Sequence, residues 1–450
     1  MQIDLTKGNI TGTLLRFAFP MMVGNLLQQF YNVADTFIVG QYLGADALAA
    51  VGSSYTLMTF LTSIILGLCM GCGALFSIRY GEQALDRLKN NLFLSFVLIA
   101  GVTLALNIGV FLGLDLLIRL LQVPIRVAPL MREYLWVIFW GIGAVLFYNF
   151  FSCVLRAVGN SVVPLVFLGI SALLNIALDL LFVLGFRWGV AGAAGATVTA
   201  QIFSGLGIGL YTVFRCPDLR IRRKHLYVKR DQLREIAQFS VMTCLQQSVM
   251  NFGILMVQGL VNSFGPVIMA AFAAAVKIDS FAYMPVQDFG NAFSTFVAQN
   301  YGAQKTARIQ KGIKSALLTV LVFCLVITGA VCLFARPLMM IFVRPEETEI
   351  IAAGIQYLRI EGACYFGTGC LFLLYGLYRA LKKPGMSLVL TIISLGTRVA
   401  LAYLLSGIAP IGVTGIWMAV PIGWLLADLA GLWYYRKHMR NCFYPISNGF

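Results

Sequence analysis

Gly189-Val190-Ala191-Gly192 returns 223 residues later as Gly412-Val413-Thr414-Gly415. At the same offset Tyr134-Leu135 returns as Tyr357-Leu358, Arg156-Ala157 as Arg379-Ala380 and Tyr211 as Tyr434. At an offset of 221, Gly44 returns as Gly265 and Tyr80-Gly81 as Tyr301-Gly302. Each match alone is weak. An ordered series at one near-constant spacing is the mark of an internal duplication. It divides the chain into a first lobe at 1–214, a basic linker at 215–235, a second lobe at 236–440 and a tail at 441–450.

The residues around these anchors are 60% hydrophobic and only 11% charged over a length of 450, where a soluble domain carries about a quarter of charged residues. Apolar runs of about 20 residues or more suffice to cross a hydrocarbon core of about 30 Å. Twelve lie near 14–38, 48–77, 90–113, 134–157, 160–184, 190–214, 236–262, 267–298, 313–335, 354–378, 386–407 and 412–435. The fold class that follows is an all-α polytopic membrane protein, with twelve transmembrane helices in two six-helix bundles. Because six is even, both halves enter the membrane in the same orientation, as parallel repeats related by an axis along the membrane normal.

The net charge is +15, which in a soluble protein would suggest nucleic acid. Its distribution points elsewhere. The largest cluster, Arg215, Arg220, Arg222, Arg223, Lys224, Lys229, Arg230 and Arg234, is the linker. Others are Arg79/Arg87/Lys89, Lys305/Arg308/Lys311/Lys314, Arg379/Lys382/Lys383 and Arg436/Lys437/Arg440. All fall on one side of the membrane if the spans alternate, the positive-inside pattern, so both termini are expected in the cytoplasm. The basic surface then meets anionic lipid headgroups rather than nucleic acid. The opening residues lack a basic stretch followed by a cleavage site, so the first span is expected to be retained.

Most of the 10 cysteines lie inside apolar runs, among them Cys69-x2-Cys72, and the histidines, His225 and His438, lie in loops. They read as small buried hydrophobes rather than a metal set. No glycine-rich phosphate loop or Ser-His-Asp set stands out. No clustered D-x-x-D carboxylates for Mg²⁺ occur within the spans. Neither an ATP-driven pump nor an enzyme is expected, and no cofactor.

Ionisable side chains inside a membrane are costly and mark sites. The first span places Asn25, Gln28, Asn32 and Asp35 at helical spacing on one face. The fifth places Asn175 and Asp179 four apart, and the sixth Thr197, Gln201 and Ser204. If the stripes converge, Asp35 and Asp179 face each other through Asn175 and Thr197. Two poorly solvated carboxyls do not both ionise cheaply, so the pair suits uptake and release of H⁺ or Na⁺. Pro20 removes a backbone donor and predicts a bend in the first helix. The second half differs: Arg398 stands where Asn175 is duplicated, Ala402 where Asp179 is, and Met256 where Asp35 is. Lys277 and Arg398 are expected to pair with Asp279 and Asp288 or to contact substrate, alongside a stripe of Gln247, Asn251 and Gln258 in the seventh span. Asp428 is placed near the cytoplasmic end, and Arg359 and Glu361 near the outer surface.

Ile10-x4-Leu15-x-Phe17-Ala18-x-Pro20, then Tyr31-Asn32-x2-Asp35-Thr36 and Gly40-x3-Gly44, resembles the MATE (multidrug and toxic compound extrusion) family. So do Asn175-x3-Asp179-x2-Phe182, Gly189-Val190-x-Gly192-Ala193-Ala194-x-Ala196-Thr197 and Val297-x-Gln299-Asn300-Tyr301-Gly302-Ala303. The resemblance is to the prokaryotic DinF-like branch. It implies a monomeric antiporter of the cytoplasmic membrane that expels amphipathic drugs and metabolites in exchange for H⁺ or Na⁺. The coupling site it implies maps to Asp35, Asn175, Asp179 and Thr197, with Gln28, Asn32, Gln201, Gln247, Asn251, Lys277, Asp288 and Arg398 as candidates for the substrate cavity. Two departures bear on it. NorM-like members couple through acids on helices 7 and 10, whereas the seventh span here has none and the tenth has Glu361. Ser240 replaces the proline that usually opens helix 7, which counts against a matching bend. The alternative within the superfamily is a flippase for lipids or lipid-linked oligosaccharides, for which Lys277 and Arg398 would serve an anionic headgroup.

Overall fold

The computed structural model describes residues 2–120, 123–408 and 410–439; the tail at 441–450 lies outside them. Among the described residues the chain forms helices and no strands. The first half holds α1 (Ile10–Leu43), α2 (Ala45–Gly81), α3 (Leu85–Leu112), α4 (Leu114–Leu120), α5 (Ala128–Ile138), α6 (Ile142–Ala157), α7 (Val162–Asp179) and α8 (Gly189–Arg215). The second holds α9 (Arg230–Asn262), α10 (Pro266–Gly302), α11 (Thr306–Leu333), α12 (Ala335–Met340), α13 (Thr348–Gly362), α14 (Tyr365–Ala380), α15 (Pro384–Ser406) and α16 (Val413–Tyr434). Eleven helices are long and apolar enough to span a membrane, and the pair α13–α14, bent by 50° at its junction, makes a twelfth. α5 and α6 form one span through a 3-10 turn at Phe139–Gly141, and α7 continues through a π turn at Leu180–Gly185.

The duplication is written into the backbone. Positive φ angles occur at Gly44 (87°) and Gly265 (93°), Gln83 (57°) and Gln304 (56°), Gly159 (87°) and Lys382 (61°), and Gly189 (60°) and Gly412 (52°). Each pair keeps the sequence offset of 221 or 223. Turns that cost an L-residue steric strain have therefore been kept in both halves. The short α4 and α12 also stand at equivalent places.

The described residues form two compact units, one of residues 2–4 and 19–244, the other of 5–18 and 245–439. Both α1 and α9 thus change unit part-way along. For α9 the reason lies in α2, where Gly67 and Gly71 are four apart on one face. A Cβ added at Gly71 would lie 2.3 Å from Phe239 O, and one at Gly67 would lie 2.7 Å from Cys244 Cα. Only hydrogen at these positions lets the two backbones approach so closely, a small-xxx-small contact of the kind that holds helices together in lipid. Cys72 Sγ and Ser240 Oγ complete it at 2.9 Å. Ser240 sits inside a continuous α9, so the residue that departs from the family's proline is a packing contact. α1 runs unbroken through Pro20.

The linker is fastened to the start of α3. The Asn90 side chain, fully buried, donates to the carbonyls of His225 and Tyr227, both at 2.7 Å. His225 Nδ1 accepts the Arg222 N–H at 2.9 Å, so its proton is on Nε2, which donates to Asp86 at 2.9 Å. In the other unit, Leu5 and Gly8 present carbonyls to the Arg308 guanidinium at 3.3 and 2.8 Å. Asn9 Oδ1 caps α1 by accepting the Gly12 N–H at 3.0 Å.

Candidate functional site

Within the first unit the polar stripes of α1, α7 and α8 meet. Asp179 is the last residue of α7 and is wholly shielded from solvent; the π turn that follows is a local widening of the helix often found at functional sites. Its carboxyl lies within hydrogen-bonding reach of the Asp35 carboxyl from α1. Both Asp179 oxygens and Asp35 Oδ1 are buried without a donor. Asn175, one turn before Asp179, donates from Nδ2 to Thr197 Oγ1 of α8 at 3.2 Å and leaves its own Oδ1 unpartnered. Carboxylate oxygens in contact repel unless a proton or a cation lies between them. Buried acceptors with no donor cost about 1–3 kcal/mol each. Four oxygen-bearing side chains therefore converge on one place, an arrangement suited to a proton or a cation.

Two tyrosines complete the wall. Tyr31 lies one turn before Asp35 on the same face of α1, and Tyr134 of α5 is buried; both face Asp35 and Asp179. Neither is among the residues picked from sequence. Tyr31 belongs to the stripe by spacing, but an aromatic residue in an apolar span reads as lipid-facing or core. Gln201 of α8 is half-buried with Oε1 unpartnered. It occupies space that Gly141 leaves open, since a Cβ there would lie 2.6 Å from that oxygen. Asn32 is half-buried, whereas Gln28 is exposed, about 10 Å along α1 from Asp35.

The second unit has its own polar cluster. Tyr357 donates to Glu361 Oε2 at 2.9 Å within α13, and Tyr365 faces Asp279 of α10. The Arg398 guanidinium acts on both Asp279 and Glu361. Phe272, Tyr357 and Trp417 form the aromatic wall, with ring centroids 5.0–5.5 Å apart. Glu361 Oε1, Asp279 Oδ1, Tyr365 OH and Trp417 Nε1 are buried and unpartnered.

Two expectations are corrected here, those for Glu361 and Lys277. Glu361 is 1% exposed and lies in the interior of its unit rather than near a surface. Asp428 is likewise buried within its unit. Lys277 is exposed, with Nζ 5.9 Å from the centre of the Phe342 ring, about 16 Å along α10 from Asp288. It takes no part in the cluster, which Arg398 serves alone. Asp288 is buried, as is Gln247, and Asn251 is half-buried. Gln258 is bonded along its own helix to Asn262 at 2.8 Å.

Comparison with known proteins agrees with this architecture. The MatE family model matches residues 20–181 and 239–404. A relative from Bacillus subtilis, named probable multidrug resistance protein YpnP, is 31% identical, with 96% of each chain covered. The multidrug export protein MepA of Staphylococcus aureus is 23% identical over 95% of this chain and 93% of its own. A crystal structure of a MATE protein in complex with MaL6 superposes with a TM-score of 0.90 at 24% identity, over 97% of both chains. Twelve spans, a duplicated backbone and a family model that matches both halves lead to one assignment: this chain is a multi-pass membrane transporter of the MATE family.

Proposed function

We propose that this transporter exports amphipathic organic compounds in exchange for H⁺ or Na⁺, and that the exchanged ion binds between Asp35 and Asp179. The observation that carries the reading is the approach of the half-buried Asp35 carboxyl to the buried Asp179 carboxyl, with three of their four oxygens shielded and without a donor. An ion that enters from one side and leaves to the other would be bound and released between these two carboxyls. Asn175 and Thr197 add neutral oxygens, enough to solvate Na⁺ as well as to receive a proton, because hard cations take oxygen ligands. The basic linker and loops support cytoplasmic termini in the inner membrane of a prokaryote, against anionic lipid. The units each hold a complete polar interior, which supports a functional monomer. A flippase for anionic headgroups finds little support: Lys277 is elsewhere, and the charge of Arg398 is offset by Asp279 and Glu361.

The test uses purified protein in proteoliposomes, with ethidium as the transported probe. A pH gradient, or in separate vesicles a Na⁺ gradient, is imposed without membrane potential. One of the two is expected to drive ethidium in the wild type. Asp35→Asn should lose that driven component at least tenfold while still exchanging ethidium without a gradient. Driven transport equal to wild type in Asp35→Asn would refute the site.

A further inference from the structure

Asp428 belongs to none of the groups described so far. It lies in α16, six residues before the end of the helix, and is 8% exposed. Its Oδ1 is buried without a hydrogen-bond partner. Gly367, Cys370 and Tyr375 of α14 lie beside it. The titratable groups that face it are thus one thiol and one phenol. Among the described residues no charged side chain acts on it. Arg398 of α15 sits against Gly423 and serves Asp279 and Glu361.

The duplication supplies an internal control. Asp428 stands where the first unit has Gly205, and Gly367 where it has Ala144. In the first unit the glycine is on α8: a Cβ on Gly205 would lie 2.7 Å from Ala144 O. In the second the sizes are exchanged, and a Cβ on Gly367 would lie 3.8 Å from Asp428 Oδ2. The same helix contact has been rebuilt to admit a carboxyl on one side only. A carboxylate inside a span is costly, and this one makes no hydrogen bond through Oδ1 to offset the cost. An apolar residue would fill the space at no such cost.

We infer that Asp428 is a second ion-carrying carboxyl, in the other unit from Asp35 and Asp179, and that the ion it carries is a proton. The choice of ion follows from the walls. Na⁺ needs a shell of oxygens, and the α14 side chains that face Asp428 offer a thiol and one phenol. A proton needs one base: the carboxylate takes up H⁺ to become the neutral acid and returns it on the opposite side. The inference rests on the reading of the chain as an ion-coupled exporter, and adds one proton to each cycle.

Two measurements test it. In proteoliposomes at zero membrane potential, steady-state ethidium accumulation is recorded over a series of pH gradients, and the power with which it follows the proton ratio is fitted. Asp428→Asn is expected to lower that power by about one, so that a tenfold proton ratio concentrates ethidium about tenfold less than in wild type. The same power in both proteins overturns the inference. Separately, wild-type protein in lipid is treated with dicyclohexylcarbodiimide, which adds to protonated carboxyls in apolar surroundings, and its peptides are analysed by mass spectrometry. An N-acylurea adduct is expected on Asp428, in wild type and in Asp35→Asn alike, and its absence overturns the inference without recourse to any variant at 428. If wild type shows no gradient-driven accumulation at all, it is the exporter reading that fails, and the carbodiimide result decides Asp428 by itself.

Discussion

Gly71→Ala adds a single methyl group where two helices of the first unit, α2 and α9, touch through their backbones. The added carbon would lie 2.3 Å from Phe239 O, 2.7 Å from Phe239 C and 2.8 Å from Ser240 Cα. Ordinary carbon–oxygen contacts are about 3.3–3.6 Å even where a weak attraction draws them in. All three obstacles are backbone, so no rotamer change relieves them, and α2 and α9 must part by about 1 Å. That opens the Cys72–Ser240 contact and the small-residue seam beside it. Overpacking of this kind costs about 1–3 kcal/mol. In a unit of this size each kcal/mol shifts the melting temperature by about 2–4 °C, giving an expected fall of about 2–12 °C. The assay is loss of the monodisperse peak after heating in detergent. Gly101→Ala in α3 is the control, since a Cβ there meets nothing within 4 Å. It should hold or raise stability through the higher helix propensity of alanine, about 1 kcal/mol. A Gly71→Ala protein as stable as wild type, or a Gly101→Ala protein that falls as far, would refute the packing argument.

Arg398→Gln removes the cation that acts on Asp279 and Glu361 and should destabilise the second unit by about 1 kcal/mol, since the half-exposed Arg398 makes no contact ion pair with either. Adding Glu361→Gln should restore most of that loss in the same heating assay, and equal stability of the single and double variants would count against the cluster. Asn90→Ala leaves the carbonyls of His225 and Tyr227 without their donor, at about 1–3 kcal/mol each. Trypsin should then cut at the Arg220–Lys224 run at least tenfold faster, and an unchanged rate would mean that the linker is held by something else.

The fold was legible because its two signals are long-range and redundant. Apolar runs cannot hide in a chain with so few charges, and a duplication leaves many weak matches in register. The breaks within spans were not legible. Phe139–Gly141 and Leu180–Gly185 contain no proline, and their departure from α geometry depends on how neighbouring helices pack. The polar convergence in the first unit was legible for the same reason as the spans: Asp35, Asn175 and Asp179 are conspicuous against apolar surroundings, and helical spacing puts each on a definable face. Tyr31 and Tyr134 were hidden by chemistry, since a phenol is at home in an apolar span with or without a polar partner. Lys277 and Glu361 were misplaced because position along a helix was read as depth, while burial depends on the facing helix, and no periodicity reveals that.

The backbone of the two halves is duplicated, but the buried acids are not. Asp35 and Asp179 stand opposite Met256 and Ala402; Asp279, Asp288, Glu361 and Asp428 stand opposite Met58, Gly67, Ile138 and Gly205. Every one of these acids is therefore unmatched at its repeat position, whereas the left-handed turns are matched at four. Such a pattern has a physical reading. Turns determine the path of the chain, and both halves need the same path. A buried carboxyl instead demands its own cavity and its own counter-charge, and these come from side chains that a duplicated backbone leaves free to vary. A transporter whose ion site recurred in both units would bind two equivalent ions, and removing either would halve the coupling. The two proposed sites are chemically distinct, one with an amide, a hydroxyl and two phenols beside its carboxyls, the other with a thiol and one phenol. Loss of one should change which ion drives transport or how steeply, and the two variants Asp35→Asn and Asp428→Asn should fail in different ways.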